Sequence, residues 1–315
     1  MMNRLCHIIF IYLFTNLFSI AQAETNTANQ NNSTRCQNIQ LQILGSGGPE
    51  IYDGLASSSY LVWINNKARV LIDAGGGSTL NFEKSGADFN DLQVILLSHL
   101  HVDHSAAIPV YIKGGFFTGR QQNLPLFGPE AGGSFPSTKS FVKALFDNSQ
   151  VSVYPYLNDF INQQRSTHFL LKPQSVTSNN KVWSKQINTQ LKISAINVTH
   201  GAIPALAWRV DSGECSVTFS GDMNGTSGNL PKLAKNSNIL VAHNAIPEQA
   251  GDIPKYLHMT PSIIGKLAKQ SQAKKLVLSH FMYKTMNIKD ATKKLIRKNY
   301  QGEIVNAKDL LKVTL

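Results

Sequence analysis

The chain has 315 residues, 42% of them hydrophobic, which is enough to bury a large core in one large domain or two. Its cysteines, Cys6, Cys36 and Cys215, stand far apart, which excludes a metal held by a close pair of thiolates but leaves a disulfide open. The net charge of +11 is concentrated at one end: residues 251–315 hold 13 Lys/Arg against 4 Asp/Glu, and the other 250 residues hold 17 against 15. A basic surface suits anionic esters, nucleic acid or an anionic envelope, while the helical spacing of the lysines from Lys266 to Lys298 also fits a solvated pair of helices.

At the N-terminus, Arg4 precedes an apolar run from Ile8 to Ile20, and Ala21-Gln22-Ala23 puts small residues where a signal peptidase reads. Residues 1–23 are expected to be a signal peptide and the mature chain to be periplasmic or secreted. The run is short for a bilayer, so no integral membrane span is expected after processing, an uncleaved anchor being the alternative. Residues 24–37, rich in Asn, Thr and Gln, read as a flexible mature N-terminus, and 38–315 as one domain. In an oxidising compartment Cys36 and Cys215 either pair or remain two separate buried thiols.

The domain begins with a strand at 40–44 that ends in Gly45-Ser46-Gly47-Gly48-Pro49. Strands at 59–63 and 69–72 follow, joined by a turn at Asn65-Asn66, and then Asp73-Ala74-Gly75 and a helix from about Ser78. Val94-Ile95-Leu96-Leu97 reads as a strand buried on both faces, with a helix from about His104. A short strand and turn at 124–129 precede a helix through Phe141 to Phe146. Between 148 and 190 the periodicity weakens, which reads as a lid or insertion, with Tyr154, Tyr156 and Phe160 as wall, stacking or surface-packing residues. Strands follow at 191–198, 207–210 and 216–219, the last two a hairpin around Asp211-Ser212-Gly213. Residues 230–235 read as a helix and 239–242 as a buried strand. Thr260 is expected to cap, and Pro261 to open, a helix to about Gln270; 276–279 is expected to be the last core strand. Strands and helices in alternation predict an α/β class.

The chemistry concentrates in Ser98-His99-Leu100-His101-Val102-Asp103-His104, directly after a buried strand. Imidazole and carboxylate suit zinc, and alternate residues of an extended turn can aim two side chains at one ion, so His99 and His101 fit one position and Asp103 and His104 a neighbouring one. His200, Asp222 and His280 also close strands. Polar groups at several strand ends are what one edge of a sheet sandwich needs to assemble a dinuclear site.

This spacing resembles the signature of the metallo-β-lactamase superfamily. The likeness runs over roughly residues 38–285 and is nearest to the ribonuclease Z-like branch, through Gly45-Ser46-Gly47-Gly48-Pro49, Gly128-Pro129, Ser220-Gly221-Asp222, His258-Met259-Thr260 and Ser279-His280-Phe281. The resemblance implies a four-layer αββα sandwich and two zinc ions, with manganese or iron as alternatives. It implies His99, His101 and His200 on one ion, Asp103, His104 and His280 on the other, Asp222 bridging, and Asp73 and His243 supporting the ligands. A hydroxide between the ions is then the nucleophile, Asp103 its proton acceptor and His258 the general acid. The implied function is an exported phosphodiester hydrolase. A sulfate-ester hydrolase, a tRNA 3′-processing endoribonuclease without export, and a polyanion-binding module on the same fold are the alternatives. The expected partner is an anionic ester, RNA or nucleotide among them, and a homodimer is left open. Three features depart from the branch. Asn244 stands where a Glu is usual, Asp53-Gly54-Leu55-Ala56-Ser57 lacks an Arg-Asn pair, and 148–190 lacks a Gly-rich basic arm.

Overall fold

The computed structural model describes residues 36, 38–149, 151–162 and 169–315. The expected signal peptide and nearly all of the expected flexible N-terminus lie outside the described residues. The chain divides after Asn38, and both sheets of the fold belong to Ile39–Leu315. Cys36 and Cys215 are both disulfide-bonded.

Two seven-stranded sheets form the body. One contains β1 (Ile39–Gly45), β2 (Ser59–Ile64), β3 (Lys67–Ile72), β4 (Val94–Leu96), β5 (Leu124–Pro129), β6 (Leu171–Val176) and β14 (Lys312–Thr314), in the order β14-β1-β2-β3-β4-β5-β6. The other contains β7 (Trp183–Asn188), β8 (Leu191–His200), β9 (Ile203–Ser212), β10 (Cys215–Phe219), β11 (Ile239–His243), β12 (Lys275–Ser279) and β13 (Glu303–Asn306), in the order β13-β12-β11-β10-β9-β8-β7. Each sheet is antiparallel on one side and parallel on the other. The β2–β3 hairpin turns on Asn65 and Asn66, whose φ values of 53° and 59° are the left-handed pair that a tight hairpin requires and asparagine tolerates. From β3 to β6 and from β10 to β13 the strands run parallel, so their apolar runs must be covered on both faces.

The crossovers supply that cover. On the first sheet they are α1 (Ser78–Lys84), α2 (Val102–Ser105), α3 (Ile108–Gly115), α4 (Thr138–Phe146) and α5 (Asp159–Asn162). Phe82, Tyr111, Ile112, Val142 and Phe146 from these helices form one core with Leu61, Leu71, Ile95 and Leu126 from the strands. On the second sheet they are α6 (Leu230–Leu233), α7 (Asp252–Leu257), α8 (Pro261–Gln270), α9 (Tyr283–Met286) and α10 (Lys289–Arg297), with Ile264, Leu267 and Ile296 buried. The inner faces meet through Tyr60 beside Phe219 at 5.4 Å, and through the Trp208 indole, whose Nε1 donates to the Leu97 carbonyl at 2.9 Å. Helix, sheet, sheet and helix give the αββα sandwich. Among the described residues no helix is long and apolar enough to cross a membrane.

Three expectations need correction. Residues 148–190 are not one lid or insertion: 171–176 and 183–188 are the outermost strands β6 and β7 of the two sheets. An edge strand needs only one buried face and one hydrogen-bonded side, so Lys172, Gln174, Ser184 and Gln186 blur its apolar pattern. Phe160 is core, 5.1 Å from Phe169, whereas Tyr154 and Tyr156 lie against each other near Lys113. Likewise β12 is not the last core strand, because β13 and β14 add to opposite sheets. The third concerns α8, which Pro261 does open, but no Thr260 side-chain cap forms; the Glu248 carboxylate accepts from Ser262 N at 2.8 Å instead. The C-terminal lysines follow the solvated pattern: α10 buries Thr292 and Ile296 and leaves Lys294, Arg297 and Lys298 in water.

Candidate metal centre

Strand ends from both sheets converge at one edge of the sandwich. From the first sheet come Asp73 after β3 and the Ser98–His104 turn after β4. The second contributes His200 closing β8, Asp222 after β10, His243 closing β11 and His280 after β12. The loops are held together by backbone bonds, Ala74 N to His104 O at 2.7 Å and Leu206 N to Ser98 O at 2.8 Å. Close approach dictates glycine at two positions. A Cβ at Gly75 would lie 2.2 Å from the Asp103 carbonyl, and one at Gly48 would lie 2.8 Å from Cε1 of His280.

Asp222 Oδ2 is the hub. It stands 3.4 Å from His280 Nε2, 3.7 Å from His104 Nε2, 3.8 Å from His200 Nε2 and His258 Nδ1, and 3.9 Å from His99 Nε2. The other oxygen, Oδ1, lies 2.7 Å from His243 Nδ1. Asp103 Oδ2 adds contacts of 3.2 Å to His280 Nε2 and 3.4 Å to His104 Nε2. His101, at the N-terminus of α2, brings its ring 4.6 Å from that of His99 and 5.2 Å from that of His200.

The donor set fits two divalent cations. His99, His101, His200 and Asp222 offer atoms within 4.8 Å of one another, as do His104, Asp222, His243 and His280. Nε2 of His99, His104 and His200 is buried without a hydrogen-bond partner, which is costly unless a cation takes the lone pair. Donors around a tetrahedral zinc with bonds of about 2.0–2.1 Å stand about 3.3–3.4 Å apart, close to the separations observed. The second group differs in one member from the set implied by the resemblance, with His243 in place of Asp103. Both ring nitrogens of His243 are already engaged, Nδ1 by Asp222 and Nε2 by the Tyr60 hydroxyl at 3.0 Å. Asp103 is therefore the better fourth donor, and His243 orients Asp222.

At two of the rings the opposite nitrogen explains why Nε2 faces inward. His104 Nδ1 donates to Asp73 Oδ2 at 2.8 Å, and His200 Nδ1 donates to the Leu257 carbonyl at 2.8 Å, which turns Nε2 of each ring toward the site. Asp73 is buried with a φ of 54° and also accepts from Ser98 N at 2.7 Å and Ser98 Oγ at 2.8 Å. One carboxylate thus fixes both the turn and a ligand ring.

The electrostatics follow from burial and the nearby carboxylates. Desolvation pulls His99, His101 and His243 below the ordinary imidazole range, and neighbouring histidines add to it. Desolvation also acts on His104 and His280, but Asp73, Asp103 and Asp222 outweigh it at His104, as do Asp222 and Asp103 at His280, so both rise. Burial raises Asp103 and Asp222, yet the surrounding histidines dominate and hold both below the usual carboxylate range. His258 is lowered to about 4, chiefly by burial.

Comparison with known proteins decides the family. A sequence family described as a β-lactamase superfamily domain matches residues 68–281. The chain belongs to it. Within that superfamily it is similar to the ribonuclease Z of Picrophilus torridus, with 23% identity over 279 residues covering 79% of this chain and 88% of the relative. Its fold is similar to that of the metallo-β-lactamase fold protein YhfI from Bacillus subtilis, at a TM-score of 0.67 and 20% identity over 87% of this chain and 98% of that one. It is also similar to the short form of human tRNase Z, at a TM-score of 0.65 and 18% identity over 87% and 98%. The protein is a ribonuclease Z-like metal-dependent hydrolase of this superfamily.

Three contributors carry no signal in the sequence. Tyr60 reaches from the first sheet to touch His243 and, at 3.0 Å, Ser279 Oγ. Asp309 accepts from Ser46 N at 2.9 Å, Ser46 Oγ at 2.8 Å, Ala56 N at 2.9 Å and Asn81 Nδ2 at 3.1 Å, and so ties the C-terminus to the loop beside His280. Phe135 lies 5.6 Å from the His101 ring. Asn244, which stands where the branch usually has Glu, is fully buried, and neither of its side-chain polar atoms has a hydrogen-bond partner.

Proposed function

We propose that the protein is an exported dinuclear zinc phosphodiesterase. The observation that carries this reading is the ring of histidine nitrogens around Asp222 Oδ2, with three Nε2 atoms buried and unpartnered. His99, His101, His200 and Asp222 would hold one ion, and Asp103, His104, His280 and Asp222 the other. When bound, the two cations supply positive charge against the ester oxygens and lower the pKa of water toward neutrality. Manganese or iron could occupy the same imidazole and carboxylate donors.

The chain's own groups do the rest. Asp103 meets His104 and His280 through Oδ2, which leaves Oδ1 as the candidate acceptor for a proton at the reacting face. His258 Nδ1, 3.8 Å from Asp222 Oδ2 and buried without a partner, is placed to serve the leaving oxygen. Burial lowers its pKa to about 4, so donating a proton there requires negative charge, such as that of an anionic ester, beside the ring. His243 and Tyr60 fix Asp222, and Asp73 fixes His104.

A phosphodiester is favoured because the relatives in sequence are named ribonuclease Z. Export rests on the leader-like pattern of residues 1–23, and it argues against tRNA precursors as substrate. Turnover of bis(p-nitrophenyl) phosphate against p-nitrophenyl sulfate by the zinc-loaded protein, with His104→Ala as blank, tests the assignment. The phosphate diester should be preferred. Preference for the sulfate would make it a sulfate-ester hydrolase, and salt-sensitive polyanion binding without turnover would make it a binding module.

A further inference from the structure

The loops that carry the metal-centre histidines also carry a set of apolar side chains that the fold leaves in water. Ile51 is 80% exposed, Tyr52 95%, Tyr283 69% and Val102 72%. Soluble surfaces seldom gather such residues in one place unless something covers them. Each is close in the chain to a residue of the site: Val102 lies between His101 and Asp103, Tyr283 is three residues past His280, and Ile51 and Tyr52 follow Gly48, which packs on the His280 ring.

On the His280 side this surface is concave. Pro49, Glu50, Ile51, Tyr52, Asp53 and Tyr283 line an open recess of about 590 Å³. Its two walls are tied together beside the ligand, by Gly48 N donating to Phe281 O at 3.1 Å and by Tyr283 N donating to the Glu50 carboxylate. The recess thus borders the loop that carries His280, with Gly48 between Pro49 and the His280 ring. Its two charged residues are acidic, Glu50 and Asp53. An acidic wall repels a second phosphate, so a nucleic-acid backbone does not suit it, whereas two tyrosine rings and an isoleucine suit a planar apolar group.

We infer that this recess is the subsite for an apolar, preferably aromatic, substituent of the ester, so that the substrate is a singly charged ester with a bulky apolar group and not a polynucleotide. The inference rests on the proposed metal-dependent ester chemistry and names the substrate class of that site. The oxyanion end faces Asp103, His104 and His280, and the apolar end lies over Tyr52 and Tyr283.

Equilibrium binding tests this independently of turnover. The probes are phenylphosphonate and methylphosphonate, titrated calorimetrically into the zinc-loaded protein, its Tyr52→Ala and Tyr283→Ala variants, and a control, Tyr156→Ala, which alters an exposed ring beside Tyr154 and Lys113 that does not line the recess. Both site variants change exposed side chains and should melt as the wild type does. Phenylphosphonate should bind the wild type and the control about tenfold or more tightly than methylphosphonate, as expected for burying one ring, and the preference should shrink several-fold in each site variant. Equal affinity for the two probes, or a preference that survives both variants, would overturn the subsite. Hydrolysis of bis(p-nitrophenyl) phosphate, measured in parallel, separates the two levels. Absent turnover with an intact, Tyr52-dependent phenyl preference would refute the phosphodiesterase assignment and uphold the subsite.

Discussion

Replacing Asp73 with Asn isolates the link between the fold and the metal centre. The change is isosteric, and asparagine accepts the left-handed φ of 54° at least as readily as aspartate, so the backbone is unperturbed. The Asn carbonyl can still accept from Ser98 N, but an amide NH₂ replaces the oxygen that accepts from Ser98 Oγ and His104 Nδ1. His104 then relieves the donor–donor clash by moving its proton to Nε2. That nitrogen faces Asp103 and Asp222 at 3.4 and 3.7 Å, where a cation needs its lone pair. Loss of one charge-assisted bond should lower stability by about 1–3 kcal/mol. Loss of the orienting carboxylate should weaken zinc by about 10–100-fold, equivalent to about 1.4–2.7 kcal/mol. Competition with a chromogenic chelator gives the affinity, and melting with a strong chelator present gives the stability of the metal-free form. A variant that melts like the wild type and binds zinc with undiminished affinity would refute the argument that Asp73 sets the His104 tautomer.

Further outcomes follow from other groups at the site. His258→Ala should slow diesters with poor leaving groups much more than p-nitrophenyl esters, and equal slowing across a leaving-group series would remove its proton-donating role. Asp309→Ala frees Ser46, Ala56 and Asn81 together, so melting should fall by the equivalent of roughly 2–4 kcal/mol, with faster hydrogen exchange at residues 46–56; slow exchange there would show that the loop is held by other contacts. The metal-free protein should be most stable in mild acid. His104 and His280 have raised pKa values, so their contribution is complete below the ordinary imidazole value of 6.5 and is lost as pH climbs through the raised ones. Asp103 and Asp222 are lowered, so theirs is present above the ordinary 3.8 and is lost as pH falls. Zinc binding at pH 7 should therefore release protons, seen as calorimetric heats that depend on the buffer's ionisation enthalpy, and buffer-independent heats would contradict the protonated state of the empty site.

Much of the fold, and the grouping of the candidate site residues, is legible in the sequence because the informative residues are local. A buried parallel strand is a run of apolar residues, a type I′ hairpin is Asn-Asn, and a polar group placed directly after such a run marks a strand end, so His99, His200, Asp222 and His280 fall on one edge by sequence alone. What escapes depends on distant partners. Lys172 and Gln186 are acceptable in β6 and β7 only because those strands lie at sheet edges, and β13 and β14 are short strands that make sense only against β12 and β1. Thr260 meets every local rule for a cap and loses to Glu248, a residue outside the helix. Tyr60 and Asp309 reach the site across 183 residues to His243 and 263 residues to Ser46, and no local pattern carries such a contact. The exposure of Ile51, Tyr52 and Tyr283 is likewise invisible in a sequence, because an apolar residue in a loop reads the same whether it is covered or bare.

One bridging carboxylate, Asp222, organises two cation sites in the proposed centre. Titration of the metal-free protein with zinc, followed by elemental analysis after removal of free ion, tests this most directly, with His104→Ala alongside. Two ions per chain in the wild type and one in His104→Ala are the predicted result. A single ion in the wild type, or the same stoichiometry in both proteins, would contradict the dinuclear assignment.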